Sequence, residues 1–217
     1  MTAFNYAQAR ENMVEQQVRP WDVLDSRVLD VLVRLPREAF VPQAYRALAY
    51  ADLELPLGHG QRMFKPVLEG RCLQALALQP GEAVLHIGCG SGYLSACMAR
   101  LAGPVLALDI QPDLAGAAAA ALQAQDIGTV TVETADVFDW DTDQRFDAIC
   151  VGAAVLDLPE RFTRWLKPGG RLFAVRGRAP VMEAILHRHD NPGRPESLFE
   201  TELPYLTGAA PAPAFQL

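Results

Sequence analysis

The chain lacks a basic surplus. Its 19 lysine and arginine residues face 26 acids, a formal net charge of −7, whereas general nucleic-acid binding needs the opposite footprint. No nucleic-acid partner is therefore expected. Long apolar runs are missing too. Nothing approaches the roughly 20 residues of a membrane helix, and the opening MTAFNYAQARENM holds no apolar signal core. These absences predict a cytoplasmic protein with no membrane partner. Cysteine is scarce, and Cys72, Cys89, Cys97 and Cys150 sit inside apolar segments without C-x-x-C spacing. That pattern argues against a zinc site or a disulfide frame and for reduced core thiols. The four histidines show no paired ligand spacing, so no metal is expected. His187 and His189 alternate along a strand and read as surface groups. No internal repeat is present.

What the sequence does have is one organising stretch, Ala83–Tyr93, AVLHIGCGSGY. Val84, Leu85 and Ile87 read as a buried strand, and Gly88, Gly90 and Gly92 as a turn. Tyr93–Ala99 has the character of a helix. Strand, glycine turn and helix bring bare backbone N–H groups against a ligand's polar atoms. A dinucleotide fingerprint would require its third glycine at Tyr93. The observed G-x-G-x-G instead resembles the glycine loop of S-adenosylmethionine (SAM) methyltransferases. Val105–Asp109 is an apolar run ending in an acid, placed to accept hydrogen bonds from both ribose hydroxyls of a bound adenosine. Val130–Thr134 leads to Asp136, suited to an adenine amino group.

With 217 residues and 50% hydrophobic content, one substantial core is affordable. We expect a single domain over 1–217: a helical cap and substrate loop (1–66), a SAM-binding sheet (67–207) and a tail (208–217). Asn5–Gln17 reads as a helix stopped by Pro20. Asp25 caps a second, whose apolar face is Val28, Leu29, Val31 and Leu32. Pro36 opens a short third. Asp52–Pro66, with two glycines and two prolines, is a functional loop or lid. Helix Val67–Leu76 follows. From Ala83 strands and helices alternate, which predicts a parallel, doubly wound sheet. Asp113–Gln125 is an alanine-rich helix, and Ala117–Ala120 suggest close packing on the sheet. Phe146–Val151, Arg171–Val175, Met182–His189 and Glu200–Tyr205 are the remaining strands. Leu158–Trp165 is a helix, Lys167–Gly170 a turn and Asp190–Glu196 a hairpin loop.

These landmarks resemble the protein-L-isoaspartate O-methyltransferase family over nearly the whole chain. The resemblance is carried by Met13-Val14-x-x-Gln17, Pro36-Arg37-Glu38-x-Phe40-Val41-Pro42, Tyr50-x-Asp52, Leu55-Pro56-Leu57-Gly58-x-Gly60-Gln61 and Ile87-Gly88-x-Gly90-Ser91-Gly92-Tyr93. Phe146-Asp147-x-Ile149 and Ala153-Ala154 extend it. It implies an α/β fold with a mostly parallel seven-stranded sheet, a reversed last strand and an N-terminal helical cap. It implies SAM as donor and an isoaspartyl-containing peptide or protein as acceptor; a monomer or weak dimer is the expectation for the assembly. The implied donor-binding residues are His86, Gly88, Cys89, Gly90, Ser91, Gly92, Asp109, Ile110, Asp136 and Val137.

An isoaspartyl carboxylate is already ionised at neutral pH, so the chemistry needs positioning and water exclusion more than a base. The family's loop continues from Gly-Gln with Thr, a hydrophobic residue and Ser. Here Gln61 is followed by Arg62-Met63-Phe64, and the serine position is Phe64. No catalytic residue is assigned; Gln61 and Arg62 are the candidates. Three further departures are His86, where an acid usually ends the strand, Ala135-Asp136-Val137 in place of Gly-Asp-Gly, and Val175-Arg176-Gly177 in place of Pro-Val-Gly. Arg62, Lys65, Arg176 and Arg178 form a candidate cationic cluster for an anionic acceptor. Three readings stay open: an isoaspartyl methyltransferase with a rebuilt loop, a SAM methyltransferase of another small acceptor, or a SAM- or protein-binding module without turnover.

Overall fold

The computed structural model describes residues 5–212. Asn5 and Asp25 cap the first two helices through their side chains, accepting from the amides of Gln8 and Arg27. These are α1 (Tyr6–Met13) and α2 (Ser26–Arg34). The expected first helix does not run regularly to Gln17: Val14–Val18 widens into a π turn, and Arg19–Trp21 tightens into a 3₁₀ turn. Val28, Leu29 and Leu32 are buried as the periodicity requires, with Val31 half-buried. Pro36 opens only a 3₁₀ turn.

The expected loop contains an antiparallel hairpin, β1 (Leu55–Gly58) and β2 (Gln61–Met63). It feeds α3 (Pro66–Leu76), which has proline in its first turn. Then come β3 (Val84–Ile87), α4 (Tyr93–Leu101), β4 (Val105–Asp109), α5 (Pro112–Ala124) and β5 (Val130–Thr134). The chain continues through β6 (Phe146–Val155), α6 (Glu160–Arg164), β7 (Leu166–Arg178), β8 (Val181–Arg188) and β9 (Asn191–Thr201). The seven-stranded sheet has the order β5-β4-β3-β6-β7-β8-β9. Its first five strands are parallel, as the strand–helix alternation requires. Alternation along β3 splits the core. Val84 packs with the α3 and α4 side, and Leu85 and Ile87 pack on the other face with Phe162 and Trp165.

Several finer expectations are corrected. The strand antiparallel to the rest is the sixth, β8; the last, β9, turns back and runs antiparallel to β8. Asp190–Glu196 is not a loop, because β9 begins at Asn191, one turn after β8. Edge strands tolerate proline, which need not donate to a ladder, so Pro192 and Pro195 are accommodated there. Glu200–Tyr205 is not a strand; β9 ends at Thr201, and Tyr205 makes an isolated parallel bridge to Ala154. Lys167–Gly170 is absorbed as a bulge within β7. Of the four consecutive alanines only Ala118 is buried. His187 is buried, and that burial lowers its pKa, while His189 is exposed. The four cysteines are free and buried. Of the tail, residues 208–212 are described, and 213–217 lie outside the described residues.

Candidate donor and acceptor site

In a sheet of this order the connections leave β3 and β6 in opposite directions, and the crevice at their carboxyl ends is where ligands bind. Gly88–Gly92 occupy that point. The amides of Gly88 and Cys89 donate to Leu108 O (2.8 and 2.9 Å), stitching the glycine loop to β4. Asp109, at the end of β4 and 6% exposed, accepts from Gly90 N (2.8 Å, Oδ2) and Gln111 N (3.0 Å, Oδ1). One carboxylate thus shapes the loop and keeps further lone pairs for a ligand.

Two adjoining cavities meet at this loop. The first is about 550 Å³ including its open mouth and is bounded by Leu57, Gln61, Asp109, Ile110, Asp136 and Val137, among others. Asp136 Oδ1 accepts from Phe138 N (2.9 Å) and is held in place by it. The second cavity, about 300 Å³ on the same measure, is lined by Arg62, Phe64, Glu69, His86, Cys89 and Ser91. Gly88 and Gly90 border both. Gly92 lines neither cavity; it starts α4 at φ +80, where a Cβ would press on Ala118.

The absence of side chains at this junction is sterically required. A Cβ on Gly90 would come 2.8 Å from Leu57 Cδ1, and one on Gly152 would lie 2.2 Å from Gly88 O and 3.0 Å from His86 Nε2. Gly152 sits where the β6–β7 register shifts, between Cys150 and Ala154, and a bulge there re-aims the strand end toward the site. His86 is buried. Its Nδ1 pairs with Ser95 Oγ (2.7 Å), and its Nε2 has no hydrogen-bond partner. Burial, with the Asp109 charge adding, pushes the Cys89 thiol up to about 12, so it stays protonated.

The hairpin closes over the first cavity. Its tip, His59, pairs through Nε2 with Asp113 Oδ2 on α5 (2.9 Å), and Gln61 Nε2 donates to Tyr205 O (3.3 Å). Phe64, 6% exposed, is a packed core residue; its carbonyl accepts from Arg37 Nη2 (2.6 Å). Arg37 also binds Glu69 through Nε–Oε2 (3.0 Å) and Nη2–Oε1 (3.2 Å), and neither side chain is exposed beyond 1%. Burial raises the Glu69 pKa against the pull of Arg37.

The cationic cluster is not assembled. Only Arg62 borders the two cavities, facing Glu54 at 3.6 Å. Arg176 is tied to Glu183 (2.7 Å), and neither it, Lys65 nor Arg178 lines either cavity. Among the lining residues that sequence reasoning did not assign to the site are Glu69, Gly152, Leu206 and Thr207. Glu69 was legible only as an acid inside the apolar run PVLEGRCL. Gly152 precedes the Ala153-Ala154 segment but was given no role, and Leu206 and Thr207 were read as the end of the sheet region with no role in the site.

The model of the family described as protein-L-isoaspartate(D-aspartate) O-methyltransferase matches residues 8–193. The protein-L-isoaspartate O-methyltransferase 1 of Rhodopseudomonas palustris (strain HaA2) is 43% identical over 171 residues, covering 78% of this chain and 70% of that protein. The enzyme named protein-L-isoaspartate O-methyltransferase 1 in Syntrophobacter fumaroxidans is 36% identical over 183 residues, covering 84% and 86%. A Plasmodium falciparum chain solved in complex with S-adenosyl-L-homocysteine superposes with a TM-score of 0.80 at 21% identity, covering 94% of this chain and 99% of that one, and shares the fold. The glycine cradle, the strand-end acids and these matches agree: the chain belongs to the protein-L-isoaspartate(D-aspartate) O-methyltransferase family, with SAM as its methyl donor.

Proposed function

We propose that this family member methylates isoaspartyl carboxylates slowly, through a loop in which Arg62 replaces the missing serine hydroxyl. The observation that carries this reading is the pairing at β2: Arg62 borders both cavities, while Phe64 presents a ring at the serine position. The donor, when bound, supplies an activated methyl group. Asp109 and Asp136 hold its adenosine end, and the glycine loop with Gly152 leaves room for its backbone approach. Ile110 and Val137 supply apolar walls, and Cys89 and Ser91 line the loop side. The acceptor carboxylate needs no base, so this chain's task is to orient an oxygen and keep water out. A guanidinium can hold a carboxylate at least as firmly as a hydroxyl does. Losing a donor at a charged oxygen in a dry site nevertheless lowers rate by about 10²–10³, and Arg62 is more than half exposed.

The test is labelled methyl transfer to an isoaspartyl peptide, beside a family member that carries the serine, at matched SAM saturation. Transfer well below that member supports the reading. Comparable rates overturn the role given to Phe64, and no transfer overturns the acceptor. Phe64 alone favours a second reading, an acceptor other than isoaspartate whose pocket the ring partly fills. Phe64→Ser separates the two, because restored isoaspartyl turnover is expected only if the site is otherwise intact. The Phe64 ring is core, and removing such a ring costs about 3–5 kcal/mol, so the variant is assayed well below its melting temperature. No helix among the described residues is long and apolar enough to cross a membrane. Four buried free thiols suit a reducing cytoplasm. An acidic chain working as a monomer or weak dimer without nucleic acid completes the proposal.

A further inference from the structure

The amino-acid end of SAM carries an ammonium group, and an ammonium taken out of water unpaired is costly. The first cavity has two carboxylates, Asp109 and Asp136, both at strand ends that suit the adenosine. At the other side of the glycine loop β3 offers no acid, only His86. The second cavity nevertheless has one carboxylate in its wall, Glu69, supplied by α3. Glu69 is 1% exposed and fixed by the two hydrogen bonds from Arg37, which itself donates to Ala49 O (2.5 Å) and Phe64 O. Each Glu69 oxygen gives one lone-pair site to Arg37 and keeps another. His86 lines the same cavity; its Nδ1 is held by Ser95, and its buried Nε2 has no hydrogen-bond partner.

We infer that the second cavity receives the amino-acid end of the donor, with Glu69 as the counter-charge of its ammonium and His86 beside it in the cavity wall. The acid that β3 lacks is thus supplied from α3, and Arg37 is the positioning residue that holds it. A carboxylate so fixed costs no reorganisation when the ligand arrives. The inference rests on SAM as donor but not on the identity of the acceptor.

The test is calorimetry with S-adenosylhomocysteine, its des-amino analogue and 5′-methylthioadenosine, which lacks the amino-acid end altogether. The wild-type chain should prefer S-adenosylhomocysteine over the des-amino analogue by about tenfold or more, as a hydrogen bond to a charged group implies. Glu69→Gln should reduce that preference to within about threefold and leave 5′-methylthioadenosine affinity unchanged. Because Glu69→Gln leaves the Arg37 charge buried alone, the same titrations use Arg37→Met/Glu69→Leu, which replaces the whole ion pair by apolar groups. A preference that survives in the variants overturns the inference. So does an equal loss of 5′-methylthioadenosine, which would make Glu69 merely structural. A wild-type chain that binds no 5′-methylthioadenosine would instead overturn the donor site itself.

Discussion

Asp109 is the residue on which the donor assignment can be tested most directly. It is nearly buried and already accepts from Gly90 N and Gln111 N. Asp109→Ala would strip both amides of their partner, and each unsatisfied group costs about 1–3 kcal/mol. Lost affinity in that variant would confuse a collapsed loop with a lost ligand contact. Asp109→Asn is the better change, because it keeps the shape and one acceptor. Its amide nitrogen must then face one of the two backbone N–H groups, so some loss of stability is expected. A hydrogen bond to a charged group contributes about 1.5–3 kcal/mol. Removing the charge and one acceptor should therefore weaken S-adenosylhomocysteine by about ten- to a hundredfold. Calorimetry should compare S-adenosylhomocysteine with its 2′,3′-dideoxy analogue on both proteins. If Asp109 holds the ribose, the dideoxy ligand is weak on wild type and loses little more on Asp109→Asn. Unchanged S-adenosylhomocysteine affinity would refute the assignment, and equal losses for both ligands would reduce Asp109 to a scaffold of the loop.

Gly152→Ala should displace the glycine loop, since the new methyl would lie 2.2 Å from Gly88 O; overpacking of this kind costs about 1–3 kcal/mol, read as a lower melting temperature together with weaker S-adenosylhomocysteine binding. His59→Ala should release the hairpin tip from Asp113, raising amide exchange at Gly58–Gly60 while leaving global stability unchanged. The Asp113 carboxyl is held below its usual range by the hydrogen bond from His59, so this contact is complete above the ordinary carboxylate value and is lost as pH falls through the lowered one. Hairpin protection followed by hydrogen exchange should drop over that acid window in wild type and show no such step in His59→Ala. Arg62→Ala should raise the acceptor KM in a salt-sensitive way, and Arg176→Ala should not, because Arg176 is occupied by Glu183. Equal effects of the two would restore the cationic cluster that the fold takes apart.

The donor half of the site was legible because it is local. One contiguous stretch supplies β3, the glycine turn and the start of α4, and apolar runs ending at Asp109 and near Asp136 mark two neighbouring strand ends. Parallel pairing then brings those ends together whatever the connecting helices do. Elements whose environment is set by distant chain were read less well. His187 alternates like a surface residue, yet it is buried on β8. β9 runs through a Pro- and Gly-containing stretch, which a sheet edge tolerates and an inner strand would not. Arg176 and Arg178, at the end of β7, were grouped with the substrate loop only through the family resemblance. Within the strand, Arg176 lies opposite Glu183 on β8, and that pairing takes it out of the site.

The second cavity was hardest to read for a reason the buried ion pair makes plain. Arg37 and Glu69 are 32 residues apart, and neither belongs to a chemical motif. Arg37 reads as part of a family signature, and Glu69 as one acid on a helix that carries mostly apolar residues. Packing joins them, buries both charges, and through Phe64 O fixes the loop at the position where the serine is missing. A buried charge pair of this kind adds little net stability over an apolar replacement. Stability alone therefore gives weak reason for its place in the wall of the second cavity. A ligand carrying a positive charge supplies the stronger one, and it ties His86 on β3 and Glu69 on α3 to a single requirement.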